Sequence, residues 1–118
     1  MAPLDDAQFS ARFFAESTAL GKIKLAVRED RFTVLVRTDK PNLSDEFIRA
    51  VLELPDKFKV SAERRETADP TGLPQVYELK RVPFDELGKG YELYIKGYFR
   101  KNGNFVVEFL VQSLRRDI

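Results

Sequence analysis

The sequence predicts an α+β domain: a curved antiparallel sheet of about six strands with two helices, in the order α-β-β-α-β-β-β-β. Two stretches with helical spacing of apolar residues follow good capping residues. Several other stretches alternate apolar and polar residues, as half-buried strands do. An Asn-Gly pair separates two β-rich runs near the C-terminus. Because 118 residues suffice for one domain, we expect residues 1–118 to form a single unit.

The first predicted helix covers about residues 6–20. Asp5 is a favourable N-cap, and Gln8 stands three positions later, as a capping box requires. Gly21 is the residue at which we expect this helix to stop, because glycine is the usual residue just after a helix end.

Residues 22–28 and 31–37 are predicted to form the first β-hairpin, because apolar residues alternate with polar ones in both runs. Basic residues stand opposite the apolar positions. They form a candidate surface for anions or nucleic acid, which consists of Lys22, Lys24, Arg28, Arg31 and Arg37.

A second helix is predicted over residues 45–54, with Ser44 as its cap and Pro55 as its end. The chain that follows it is divided by clusters of proline and glycine. We expect strands at 57–62 and 75–82, and loops at 66–74 and 83–90.

The C-terminal hairpin is the clearest prediction, with runs 91–100 and 104–114 joined through Asn102-Gly103. A two-residue loop there would place Tyr98 opposite Val107 and Lys96 opposite Phe109. Both faces of this hairpin are rich in apolar residues, so either the strands are covered on both sides or closed into a barrel, or one face is exposed for a partner. The candidate partner-binding residues are Tyr94, Lys96, Tyr98, Arg100, Val107 and Phe109.

The composition excludes several kinds of chemistry. The chain has no His, Cys or Trp, so zinc sites built from Cys and His, thiol nucleophiles and Ser-His-Asp triads are excluded. No motif indicates a metal site or a cofactor. With 20 Lys and Arg against 19 Asp and Glu, the net charge is only +1, whereas dedicated nucleic-acid binders are usually far more basic.

These observations favour a small non-catalytic binding module that engages a protein partner or its own copy through the C-terminal hairpin. The alternative is a nucleic-acid-binding protein, or a small ribonuclease that works without histidine by using its basic and aromatic strand faces. The sequence has no signal-peptide pattern and no apolar run long enough for a membrane span, so we expect a cytoplasmic protein without a membrane partner.

Overall fold

A computed structural model describes residues 3–35, 43–63, 76–86 and 89–117, which form three helices and five strands. The helices are α1 (Asp6–Ala15), α2 (Ala19–Arg28) and α3 (Leu43–Glu53). The strands are β1 (Phe32–Val34), β2 (Ser61–Glu63), β3 (Val76–Glu86), β4 (Lys89–Asn102) and β5 (Phe105–Asp117). Their order along the described chain is α1-α2-β1-α3-β2-β3-β4-β5.

The five strands form one sheet in the spatial order β1-β5-β4-β3-β2. All neighbouring pairs are antiparallel except β1 and β5, which run parallel. The prediction of an α+β fold is confirmed. The sheet, however, is mixed and not strongly curled, and the described residues hold one helix more and one strand fewer than we expected.

Helix α1 begins as the sequence predicts. The Asp5 carboxylate accepts a hydrogen bond from the backbone N–H of Gln8, and the Gln8 side chain accepts one from the N–H of Asp5. The helix ends at Ala15, five residues before the predicted end, because Glu16 adopts an extended conformation. Gly21 is therefore no helix stop. It lies in the first turn of α2, where its N–H donates to the hydroxyl oxygen of the N-cap Thr18.

The predicted first hairpin is wrong, because residues 19–28 form helix α2. Leu20, Ile23 and Val27 are all buried, at the i, i+3, i+7 spacing of one helix face. Ile23, Leu25 and Val27, whose alternation suggested a strand, are all buried in this helix, which begins three residues before the predicted strand. Thr18 supplies the cap that starts it.

The strand predicted at 31–37 is present only as β1, and its partner is β5 rather than residues 22–28. Asp30, with φ 55°, lies between the end of α2 and this strand. Arg37 lies outside the described residues, as does the loop predicted at 66–74.

Helix α3 agrees with the second predicted helix to within two residues at its start. The strand predicted at 57–62 begins only at Ser61. Residues 83–86, predicted to be loop, continue β3, and β4 begins at Lys89. Pro83 is tolerated there because only β2 residues 61–63 pair on that side of β3 in the described chain, opposite residues 76–78.

The C-terminal hairpin is confirmed, but its register differs from the prediction. Asn102 pairs with Phe105, so the two loop residues are Gly103 and Asn104. Gly103 has φ 60°, the conformation that a type II′ turn requires at its first loop position. Two irregularities in β5 shift the pairing further, so that Tyr98 lies opposite Leu110 and Lys96 opposite Ser113.

One hydrophobic core joins the three helices to one face of the sheet. Aromatic rings form its centre. The Phe13 and Phe99 ring centroids are 4.7 Å apart, and those of Phe99 and Phe109 are 4.9 Å apart. Gly97 leaves room for this packing, since a Cβ atom there would lie 2.6 Å from Cζ of Phe109. Each such buried ring contributes roughly 1.5–3 kcal/mol through the hydrophobic effect.

Candidate functional site

The face of the sheet opposite the core carries most of the residues that we predicted to bind a partner. Along β4, Ile95 and Phe99 point into the core, while Lys96, Tyr98 and Arg100 point to the opposite side. No helix of the described chain packs on that side. We call it the open face.

An apolar stripe crosses the open face from β5 to β3 and consists of Leu110, Tyr98 and Val76. Leu110 lies directly opposite Tyr98 in the β4–β5 pairing. Leu110 is 8% exposed and Val76 is 6% exposed, although neither belongs to the core cluster. Leu35, which follows β1, is 53% exposed.

On one side of the stripe, a network of side chains is centred on Tyr94. Its hydroxyl donates a hydrogen bond of 2.9 Å to Oε2 of Glu78. Arg115, which is paired with Tyr94 across the strands, stacks its guanidinium 4.5 Å from the centre of the Tyr94 ring. Lys80 Nζ lies 3.8 Å from the same Glu78 oxygen. The Tyr94 ring is therefore already covered by a cation.

On the other side of the stripe, Arg100 forms an ion pair with Glu108, with 2.6 Å between Nε and Oε1. The Thr33 hydroxyl donates to the other carboxylate oxygen of Glu108 at 3.1 Å. These contacts connect β4, β5 and β1 across the open face.

Lys96 lies between the Tyr94 network and the stripe. It is paired with Glu78 across β3 and with Ser113 across β5. Within the described residues no carboxylate lies within ion-pair distance of its amine. Glu78 is its nearest acidic neighbour in register, and that carboxylate is held by Tyr94 and Lys80 instead.

Two of the six predicted partner-binding residues do not lie on the open face. Phe109 is fully buried in the core, where its ring packs against Phe99 and Tyr77. Val107 is 3% exposed and lies at the bulge of β5, where its carbonyl accepts from Arg31. Their predicted exposure is wrong, because the loop lies one residue later than expected and the bulges change which residues share a face.

The predicted basic surface does not form, because its described residues are distributed over a helix and a loop. Arg31 lies between α2 and β1, where it pairs with Asp6 at 2.7 Å and donates to the carbonyl oxygen of Leu4 at 2.6 Å. Lys24 donates to the carbonyl oxygen of Leu54 and lies 3.7 Å from Asp56. Both side chains are therefore engaged in contacts between separate segments of the chain.

Lys22 and Arg28 also lie on α2. The Lys22 amine donates to the carbonyl oxygen of Glu16 and lies 5.0 Å from the Phe13 ring centre. Burial lowers the pKa of Lys22 below its ordinary value, and the nearby Glu16 carboxylate opposes this change. Arg28 is exposed and donates weakly to the carbonyl oxygen of Lys24 at 3.4 Å.

A cleft of about 540 Å³ lies between the α1–α2 connection and the end of α3. Its charged lining is balanced, with Glu16 and Asp56 facing Lys24 and Arg28. Two of these groups already pair, since Lys24 lies 3.7 Å from Asp56. The cleft therefore offers neither a clear excess of charge nor an apolar pocket.

The sequence did not identify Leu35, Leu110, Val76, Glu78 and Arg115 as members of the open face. For Arg115, the usable signal was its place in a run of alternating residues that continues to the end of β5. The others depend on strand order and bulges, which alternation alone does not reveal.

In the described ranges, no three acidic side chains come close enough to hold a metal ion, and none of the helices is long and apolar enough to cross a membrane. No protein-family model matches the chain, and neither the curated proteins nor the solved structures include one that is detectably similar.

Proposed function

We propose that this protein is a non-catalytic binding module that engages another protein surface through the open face of its sheet. The observation that carries the proposal is the apolar stripe around Tyr98, which charged side chains border on both sides. An apolar centre with a polar rim is the usual anatomy of a protein interface, and tyrosine is among the residues that contribute most binding energy there.

A catalytic role for the same residues has less support. Arg100 is held by Glu108, and the Tyr94 hydroxyl donates to Glu78. A ribonuclease without histidine would need such groups directed at a phosphate, where they stabilise developing charge. Here their contacts are with side chains of the same sheet.

Nucleic-acid binding through this face also has less support than protein binding. Glu78 of β3, Glu92 of β4 and Glu108 of β5 lie on the open face, and each would repel a phosphate backbone. The Tyr94 ring lies beneath Arg115, so among the described side chains on the open face of β4, Tyr98 is the aromatic one left for stacking on a base.

Site-specific photo-crosslinking tests the proposal. The photoreactive residue p-benzoylphenylalanine replaces Tyr98 in one variant and Phe14 in a control, since Phe14 is an exposed aromatic on α1, away from the open face. Irradiation is carried out in the cells that naturally express the chain, and each adduct is identified and tested again with the purified partner. We expect a defined protein adduct from position 98 and none from position 14.

Sedimentation velocity of the purified chain identifies the case in which the partner is a second copy. Either a foreign adduct or a dimer that Tyr98→Glu dissociates supports the open face as a binding surface. A monomeric chain whose adducts are the same from positions 98 and 14, or absent from both, would overturn the proposal.

A further inference from the structure

We propose that the open face binds a foreign protein segment that presents an acidic side chain beside an apolar one. The carboxylate would pair with Lys96, and the apolar side chain would lie on Tyr98 and Leu110. This inference rests on the proposed function and specifies the chemistry of its partner.

Lys96 provides the first step of the argument. Its neighbours on the open face are the Tyr94 network on one side and the apolar stripe on the other. Because Glu78 is held by Tyr94 and Lys80, the Lys96 amine forms no ion pair within the described chain. A partner carboxylate at this position would make a charge-assisted hydrogen bond at the edge of an apolar contact, where partial removal of water strengthens it.

Three other cations of the open face are already engaged. Arg100 pairs with Glu108, Arg115 stacks on Tyr94, and Lys80 lies near Glu78. Binding an anion at any of these would compete with an existing contact. Unlike these three side chains, Lys96 can pair with a carboxylate without losing an existing ion pair or stacking contact.

A second copy of the chain meets like charges in two simple arrangements, with the dimer axis along the apolar stripe or along β4. Lys96, Tyr98 and Arg100 follow one another along the open face of β4. If the two-fold axis of a dimer runs along the apolar stripe, Arg100 of the second copy lies over Lys96. If the axis runs along β4, the Lys96 side chains of the two copies lie over each other. Both arrangements bring like charges together next to the apolar contact, which disfavours a symmetric dimer.

The test uses synthetic peptides as probes. A capped peptide of alternating valine and glutamate is compared with one of alternating valine and glutamine, and a poly(dT) oligonucleotide serves as the phosphate probe. Affinities are measured by fluorescence anisotropy for the wild-type chain, Lys96→Gln and a matched control, Lys59→Gln. Lys59 is exposed and lies before β2, outside the open face, so its substitution removes the same charge elsewhere.

We expect the glutamate peptide to bind about tenfold more tightly than the glutamine peptide, since a charge-assisted hydrogen bond to Lys96 is stronger than a neutral one. Lys96→Gln should remove this preference, whereas Lys59→Gln should keep it. Equal binding of both peptides, equal effects of the two variants, or tighter binding of poly(dT) would overturn the inference.

The two proposals can fail separately. If Tyr98→Ser abolishes binding of both peptides while Lys96→Gln changes neither, the open face binds protein but does not select a carboxylate. A dimer in sedimentation that Tyr98→Glu dissociates would likewise keep the proposed function and overturn the acidic foreign partner.

Discussion

The two faces of the β4–β5 hairpin belong to the same pair of strands but have different surroundings. Toward the helices, Ile95, Phe99 and Phe109 fill a closed aromatic core. Toward the outside, Lys96 and Tyr98 lie in a mixed surface of apolar and charged groups. The comparison teaches that apolar content alone does not identify the buried face of a strand pair, because apolar residues occur on both faces and register decides which of them become core. It also implies that substitutions on the two faces should affect different measurements.

The largest expected effect on stability comes from Phe109→Ala, a substitution on the core face. The Phe109 side chain is fully buried against Phe99 and Tyr77, so its removal leaves a cavity in the aromatic core. We expect the free energy of unfolding to fall by about 3–5 kcal/mol, measured by urea denaturation. Tyr98→Ala, which shortens an aromatic side chain on the open face, is the matched control and should cost about 1 kcal/mol or less. Similar losses from the two variants would contradict the assignment of the faces.

A second, smaller contrast lies in two ion pairs on opposite faces. Glu46 of α3 is 4% exposed and is bound through both carboxylate oxygens by Arg116 of β5. Glu46→Gln removes the carboxylate charge that pairs with Arg116 in a largely buried place, and we expect a loss of about 3 kcal/mol. Glu108→Gln breaks the more exposed Arg100–Glu108 pair and should cost less than about 1 kcal/mol.

Thermal and urea denaturation of the single variants check this prediction, and the double variant Glu46→Leu with Arg116→Met extends it. Because the double variant leaves no buried charge unpaired, it should recover most of the loss. If Glu108→Gln proved as costly as Glu46→Gln, burial would not be what separates the two pairs.

The hairpin itself could be predicted from Asn102-Gly103 and the β-rich runs on either side, but its register could not. The Asn-Gly pair favours a type I′ loop made of those two residues. In the structure the chain turns one residue later, with Gly103 at the first loop position, and β5 contains two bulges. Each of these shifts changes which residues face each other, and no single residue type signals a bulge.

Helix α2 shows a different limit. Ile23, Leu25 and Val27 satisfy strand alternation, and Leu20, Ile23 and Val27 satisfy a helix face. The cap at Thr18 was the signal that could have decided between them, because a residue that accepts from the N–H three positions later starts a helix. The open-face residues on β4 could be predicted because β4 alternates regularly; those on β1, β3 and β5 depend on strand order and pairing.

The smallest expected effect concerns a lysine on the helical side of the molecule. Burial lowers the pKa of Lys22 in the folded chain, so the unfolded chain keeps this proton to a higher pH than the folded chain does. Between the lowered pKa and the ordinary lysine pKa, the unfolded state binds more protons than the folded state does. The free energy of unfolding therefore increases as pH rises through this range. The cost of burying the charge is fully present below this window and is relieved above it.

Lys22→Met removes the titration. The unfolding free energy of the wild-type chain minus that of the variant should therefore be constant near neutral pH and should increase in the alkaline range. Urea denaturation at a series of pH values measures this difference, and Lys59→Met corrects for the loss of one positive charge. A difference that decreases toward alkaline pH would mean that the Glu16 carboxylate, rather than burial, dominates the environment of Lys22.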